Sequence, residues 1–396
     1  MRILVIWGES LAKPGSGTVH AVGLIGGLCA AGHAVTTLSP LYRGTELYCD
    51  GIDVTPIHLP SRRWRNFLLL QVLTVVLLPL WICRYRPEAI YVRTCMFQGL
   101  MALIGCVMGV PLIGEVDSMV DDEILQRGQG RLAAWIARSL DRVNFPLSAG
   151  LVCVTRGLRD EARRRGGRAC ATVAIRNGAR TDVITPRDMV RARDQLHLPQ
   201  APVIFGFIGA FAPWQGLDLL VDSARLLHRR GEGPFAVALL GSGAMADDLE
   251  RRIDEARLGG LFYLYPPVGA EGTELFLSAC DAAVLPIHDQ RRLRYGSSAL
   301  KFWDALSAGL PVLTPAGADL DDVLADLDLP GVFDPTDPRD LARAMGDIIA
   351  HVDRYRDGAH RNRVHADVCA KYSWDCVSRR VAHVLERLAG GRGACA

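Results

Sequence analysis

The sequence predicts an α/β protein made of two consecutive doubly wound domains, each a parallel sheet covered by helices. Three observations carry this reading. Short apolar runs recur along the chain, helix-length apolar or amphipathic stretches separate them, and the whole rhythm restarts after a polar connection near residue 185. Strands buried on both faces by crossover helices read as continuous apolar runs, whereas half-exposed strands alternate. A chain of 396 residues also has the length of two ordinary domains.

In chain order, the first half places strands at residues 3–6, 35–38, 89–92, 111–116 and 151–154. Helices are expected at 19–31, 67–84, 96–108 and 132–143. From Ile175 the sequence turns polar, with Asn177-Gly178 and Thr185-Pro186 as turn signals. Strands resume at 203–208, 236–240, 261–265, 282–285 and 312–313. The expected organisation is therefore residues 1–185, residues 186–373 and a terminal helical segment, 374–396, crossing back to the first domain. Ligands of open parallel sheets bind beyond the carboxyl ends of the strands, so the site is expected in the cleft between the facing domains. Gly390-Gly391-Arg392-Gly393 should fray.

Composition removes several classes. Hydrophobic residues at 49% and charged residues at 22% describe a packed globular chain and not a disordered one. The 45 Lys+Arg nearly cancel the 43 Asp+Glu, so binding to nucleic acid by phosphate neutralisation is not expected. Eleven cysteines occur without a C-x-x-C pair, and they read as reduced thiols of a cytoplasmic protein, with no metal site. Lysine is rare: Lys13, Lys301 and Lys371 are the full set. The chain opens on the apolar strand pattern at 3–6, without a signal-peptide pattern.

One segment resembles a membrane span. Residues 67–83 would make about 26 Å of helix, short of the roughly 30 Å hydrocarbon core. Gln71, Thr74 and Pro79 interrupt it. A helix buried against the first sheet is expected. The lead-in Arg62-Arg63-Trp64-Arg65 keeps weak peripheral contact with a membrane surface open.

Several motifs carry chemistry. Pro14-Gly15-Ser16-Gly17-Thr18 joins the first strand to a helix, where glycines let a ligand approach and the helix terminus favours anionic oxygens. It lacks G-x-G-x-x-G and an acidic end to the second strand, which argues against a nicotinamide dinucleotide. Gly32 reads as a helix C-cap with His33 beside the last carbonyls. His20 fits either a packed histidine or one open to the cleft. Arg93-Thr94 and Glu115-Val116-Asp117-Ser118 sit at strand ends; acceptor recognition and plain helix capping both fit them. The segment 296–313 is the strongest. Ser297 or Ser298 is expected to cap a helix that ends at Gly309, and Lys301 in its first turn opposes the helix dipole unless an anion lies nearby. Lys301 and Asp304 share a helix face.

Together these residues resemble the family-four glycosyltransferases of the GT-B fold. The resemblance runs through His20 and Gly32-His33, Ile175-Arg176-Asn177-Gly178, and the stretch from Phe207-Ile208-Gly209 through Gln215-Gly216-Leu217-Asp218. It continues in Leu240-Gly241-Ser242-Gly243, Cys280-Asp281-Ala282 with Leu285-Pro286, residues 296–313 and Tyr372-Ser373-Trp374. It implies two facing Rossmann-like domains and retaining, metal-independent sugar transfer from a nucleotide sugar such as a UDP or GDP sugar to a small polar acceptor. The donor is a co-substrate, and no other cofactor is implied.

The resemblance assigns the donor to Gly17, Gly209, Gln215, Ser297, Ser298, Ala299, Leu300, Lys301 and Asp304, with Asp304 accepting from the ribose. It assigns no catalytic base, since the leaving phosphate is thought to help deprotonate the acceptor; His20, Arg93, Glu115 and Asp117 are the candidates around the acceptor. The chain also departs from the family. Gly296 and Asp304 replace its usual pair of glutamates, although one subset with Gly-Ser-Ser-Pro-Leu-Lys also lacks the first. Ala210 and Gln215 replace its two diphosphate-binding cations. Arg291, Arg292 and Arg294 could supply that charge or form a solvated run. Two other functions stay open: a catalytically silent partner, and a transferase acting on lipid-linked or polysaccharide precursors at a membrane.

Overall fold

The computed structural model describes residues 1–12, 15–48, 51–61, 64–93, 95–126 and 128–390. Lys13, Pro14, Arg62, Arg63, Thr94 and the Gly391-Arg392-Gly393 tail, singled out above, lie outside the described residues, as do the side chains of Trp64 and Arg65. Two compact units make up the chain: Met1–Gly178 with Trp374–Ala396, and Ala179–Ser373.

The first unit holds seven parallel strands, β1 (Arg2–Trp7), β2 (Ala34–Tyr42), β3 (Val54–Leu59), β4 (Ala89–Arg93), β5 (Leu112–Val116), β6 (Gly150–Cys153) and β7 (Thr172–Ala174). Their order is β3-β2-β1-β4-β5-β6-β7, so the direction of winding switches between β1 and β4. Register fixes what meets there: Trp7 pairs with Arg93 and Arg93 with Glu115. The sequence pattern did not reveal β3 or β7. Edge strand β3 is only partly buried and contains Pro56, so it carries no apolar run, and β7 has just three residues.

The terminal helix Trp374–Gly390 packs on helix Ser16–Ala30. Gly23 and Gly27 make this possible: a Cβ at Gly23 would strike the Trp374 indole, and one at Gly27 the Ser378 hydroxyl. Ser378 Oγ donates to the Leu24 carbonyl at 3.1 Å, tying the two helices together.

The second unit has six parallel strands, β8 (Val203–Ile208), β9 (Phe235–Leu240), β10 (Phe262–Tyr265), β11 (Ala282–Val284), β12 (Val312–Pro315) and β13 (Val332–Phe333). Their order, β10-β9-β8-β11-β12-β13, switches between β8 and β11. Residues 179–185, assigned by sequence to the first domain, begin this second unit instead. The physical reason is packing: Ala179 and Ile184 lie in its core, and the Ala179 N–H donates to the Tyr372 carbonyl at 2.8 Å.

The apolar segment also differs from expectation. It forms a 22-residue helix, Trp64–Tyr85, longer than the stretch read from sequence. Only one face is buried, through Leu70, Gln71, Thr74, Leu78 and Ile82. Leu68, Leu69, Val72, Val76 and Leu80 are exposed, so the helix packs against the sheet as expected but through one face alone. Among the described residues this is the one helix long and apolar enough to cross a membrane, by length and composition alone.

Gly27→Val is expected to destabilise the protein by about 1–3 kcal/mol, because two helices that touch at backbone distance must separate. The check is urea unfolding beside Gly26→Val, whose Cβ would meet open space and which should cost less.

Candidate functional site

In the first unit the register of β1, β4 and β5 gathers charge at their carboxyl ends. The Arg93 guanidinium, 6% exposed, spends each nitrogen on a different carboxylate. Its Nε meets Glu115 Oε1 at 3.1 Å, one terminal nitrogen meets Glu9 Oε2 at 3.1 Å, and the other meets Asp117 Oδ2 at 2.5 Å. The cation also lies 4.6 Å from the centroid of the Trp7 ring. Tyr91 donates to Glu115 Oε2 at 2.6 Å, and His20 Nε2 lies 3.1 Å from Glu115 Oε1. His20 packs against Trp7 and Trp374, which decides its open reading in favour of a buried, carboxylate-paired histidine.

Burial pushes the Glu115 carboxyl up, but His20, Arg93 and the Tyr91 hydrogen bond outweigh it and hold the pKa at about 2. Arg93 follows the same logic with opposite sign: burial disfavours its charge, and Asp117, Glu115 and Glu9 more than restore it. Three carboxylates against one guanidinium leave acceptor capacity unspent, above all at the partly exposed Asp117 and Glu9.

Gly17, read as a donor contact, touches a different group. A Cβ there would meet the Glu9 carboxylate, so this helix start faces a carboxylate of the chain itself. Sequence reasoning missed Glu9 and Tyr91. The alternation of Tyr91 and Arg93 along β4 was the available signal for the tyrosine.

In the second unit the site lies beyond β8. Gly209 has φ +147°, a backbone conformation that favours glycine, and a Cβ on it would sit 3.3 Å from Lys301 Nζ. Lys301 Nζ donates to Gln215 Oε1 at 2.5 Å and lies 4.2 Å from the Phe207 ring centroid. Burial, and then the charge of Arg292, lower its pKa to about 7.

The helix Leu300–Ser307 has Ala299 as N-cap, with no side-chain cap. Neither serine caps it, contrary to the sequence expectation. The Ser297 amide is drawn to the Ala318 carbonyl at 2.8 Å, while Ser298 Oγ is buried and accepts from Trp303 Nε1 at 3.3 Å. Of the three arginines, Arg292 stacks on Trp214 beside Gln215, Arg294 stacks on Tyr295, and Arg291 is exposed. Of the three, Arg292 is the one whose charge bears on Lys301.

Asp304 is buried and chelated: Arg180 Nε and Nη2 donate to its two oxygens at 2.9 and 2.7 Å. No local pattern points to this partner, which lies 124 positions away. The pair uses about half of the acceptor positions of the carboxylate, leaving the rest for hydroxyl donors. The acidic pairs Asp121-Asp122 and Asp247-Asp248 lie in helices Val120–Gln126 and Ala246–Glu255. Asp121 is held there by Arg165 and Asp248 by Arg252.

The chain is similar to known proteins over nearly its whole length. The model for Glycosyltransferase Family 4 matches residues 17–183, and that for Glycosyl transferases group 1 matches residues 188–363. A D-inositol 3-phosphate glycosyltransferase of Geodermatophilus obscurus is 28% identical over 228 residues, covering 54% of this chain and 48% of that protein. The matched region thus spans about half the length of that relative. One from Nocardioides sp. is 23% identical over 95% of this chain and 87% of its own. Among solved structures, sucrose-phosphate synthase from Thermosynechococcus elongatus superposes with a TM-score of 0.78 at 18% identity, covering 98% of this chain and 99% of that one. Anabaena HepE in complex with UDP-glucose gives 0.70 at 15% identity, covering 98% and 99%. The chain belongs to the family-four glycosyltransferases and has their two-domain GT-B fold.

Arg93→Met should cost about 3–5 kcal/mol at neutral pH, since it strands the buried Glu115 carboxylate beside two partly exposed ones. The Glu115 contribution has a defined window. Its folded pKa of about 2 lies below the ordinary 4.5, so the stabilisation is complete above about pH 4.5 and is lost as pH falls toward 2. Urea unfolding across that range should show the loss, and Glu115→Gln should flatten it.

Proposed function

We propose that this protein is a retaining, metal-independent glycosyltransferase that moves a sugar from a nucleoside diphosphate sugar to a hydroxyl of a small polar, cyclitol-type acceptor. The carrying observation is Lys301, an ammonium at a helix start whose hydrogen-bond partner is a neutral amide and whose charge burial disfavours. An anion supplied from outside the chain satisfies all three features. The diphosphate of the donor is that anion. The Leu300 and Lys301 amides at the uncapped helix start, together with the ammonium, receive the charge that grows on the leaving phosphate as the glycosidic bond breaks. With Ala210 and Gln215 in place of the family's cations, Lys301 and Arg292 carry this duty. Helix amides and side-chain cations supply the countercharge that a divalent ion supplies elsewhere, which supports metal independence.

For the acceptor, the carboxylates around Arg93 suit hydroxyl donors better than a phosphate. The names of the inositol phosphate glycosyltransferase relatives support a cyclitol-type polyol, and the UDP-glucose bound by the Anabaena structure supports a uridine donor. In this reading Asp304 takes the ribose hydroxyls on the lone pairs that Arg180 leaves. A lipid-linked acceptor is the second reading, favoured by the exposed apolar face of helix Trp64–Tyr85. The deciding experiment incubates the protein with UDP-glucose and a panel of cyclitols in the presence of EDTA. A product of retained anomeric configuration is expected by NMR; an inverted one, or turnover only with magnesium, defeats the reading.

Two quantitative outcomes follow from Lys301. Lys301→Ala should lower turnover about 30- to 150-fold, the equivalent of about 2–3 kcal/mol of transition-state stabilisation, with the thermal midpoint level or slightly higher. Its pH dependence has the same sign as that of Glu115 but lies in an alkaline window. A pKa lowered to about 7 leaves the folded protein with fewer protons than the unfolded chain between about pH 7 and 10.5, so stability rises with pH there. A bound diphosphate favours the ammonium, so UDP should bind with uptake of a proton at pH 8. Its affinity should be flat below about pH 7 and fall up to about tenfold per unit above it. Calorimetry in buffers of different ionisation enthalpy measures this, and Lys301→Met should abolish the uptake.

A further inference from the structure

The crossover helices of the first unit hold a surface that sugar transfer does not use. Helices Trp64–Tyr85, Gln98–Val107 and Arg131–Leu147 connect β3 to β4, β4 to β5 and, after Val120–Gln126, β5 to β6. Right-handed crossovers running this way put all three on one face of the sheet. The middle helix packs against both others. Their inner faces join one core, in which Leu78, Ile82, Met101 and Ala102 meet Leu4, Ile6, Ile90 and Val92.

Their outer faces are apolar as well. Val76 and Leu80 on the first helix are 64% and 62% exposed, Leu103 and Val107 on the second 45% and 88%, and Leu132 and Trp135 on the third 70% and 65%. Spacings of four, four and three residues on the three helices put each pair on one helix face rather than scattering single residues.

Charge on this layer has one sign. Arg131, Arg138 and Arg142 are exposed on the third helix beside Trp135, and Arg84 is exposed near the end of the first. The three helices contain one acidic residue, Asp141, and Arg165 holds it at 2.8 Å.

We propose that this helix layer docks the protein on an anionic lipid surface. Apolar stripes with an exposed tryptophan and a rim of arginines suit the boundary between acyl chains and negatively charged headgroups. A second copy of the chain fits less well, because a two-fold contact through this face would set arginines against arginines, and the one carboxylate of these helices, Asp141, is already held by Arg165. The layer lies on the bilayer and does not cross it. The inner face of helix Trp64–Tyr85 carries Gln71, whose Oε1 accepts from the Met96 amide at 2.7 Å, and the buried Thr74. Crossing would strip the sheet of that cover and put both polar groups into hydrocarbon.

The test is flotation of the whole chain with vesicles of phosphatidylcholine alone and of phosphatidylcholine mixed with phosphatidylglycerol. Binding is expected to the mixed vesicles, with high salt weakening it. Arg131→Gln combined with Arg142→Gln should reduce it by roughly thirtyfold, at about tenfold per 1.4 kcal/mol and about 1 kcal/mol per arginine. Leu132→Ser with Trp135→Ser should also reduce it. Both pairs change exposed side chains, and unaltered UDP affinity and thermal midpoint would show the fold intact. Equal binding to both vesicle types, no flotation, or a dimer in light scattering that Leu132→Ser with Trp135→Ser dissolves would each overturn the proposal. None of these readouts depends on sugar transfer.

Discussion

A guanidinium taken out of water costs several kcal/mol unless carboxylates meet it with good geometry, and Arg93 is the point where the first unit meets that demand. It sits at the switch of winding between β1 and β4, where crossovers leave in opposite directions. Trp7, Arg93 and Glu115 stand abreast because the register of three parallel strands allows no other neighbours. Glu9 and Asp117 then close on the remaining nitrogens. Tyr91, His20 and, through His20, Trp374 are drawn into the same cluster, so the terminal helix is joined to the strand ends it crosses. Stability and ligand chemistry are thus tied together: the cation that must be neutralised brings more carboxylate than it needs, and the surplus faces outward.

The second unit handles its cations differently, and that contrast marks its site. Arg193 is neutralised by Asp281 at 2.6 Å and Arg180 by Asp304 at 2.7 Å. Lys301 instead has an amide oxygen and an aromatic face. Neither offers a full countercharge, which is why burial can lower its pKa so far. A structural lysine would be expected to carry a carboxylate partner, as Lys371 does with Asp326 at 2.9 Å. A residue whose local cost finds no repayment inside the fold is typical of a functional position.

The same sheet that organises the first site also explains the outer helix layer. Crossover helices need one apolar stripe to cover a parallel sheet, and these three have two. The inner stripe is accounted for by β1, β4 and β5. The outer one is additional, and with its arginine rim it extends the chemistry of the protein to a surface far larger than a sugar.

The amino-acid order alone determined the doubly wound architecture, because buried parallel strands must be apolar and crossover helices must separate them. It also singled out Arg93, Glu115, Asp117 and Lys301, since each falls at a strand end or helix start where polarity needs a reason. It left β3, β7 and β13 unmarked, because edge strands and two- or three-residue strands need no apolar run. It misassigned Ser297 and Ser298 as caps: the helix has Ala299 at its N-cap, and the Trp303 indole donates to the Ser298 hydroxyl oxygen. Tertiary structure alone decided that Glu9 completes the Arg93 cluster and that Arg180 grips Asp304 across 124 positions. It decided as well that the apolar helix turns one face outward. These are outcomes of register and long-range packing, and local sequence periodicity reports which faces are apolar but not which of them find a partner.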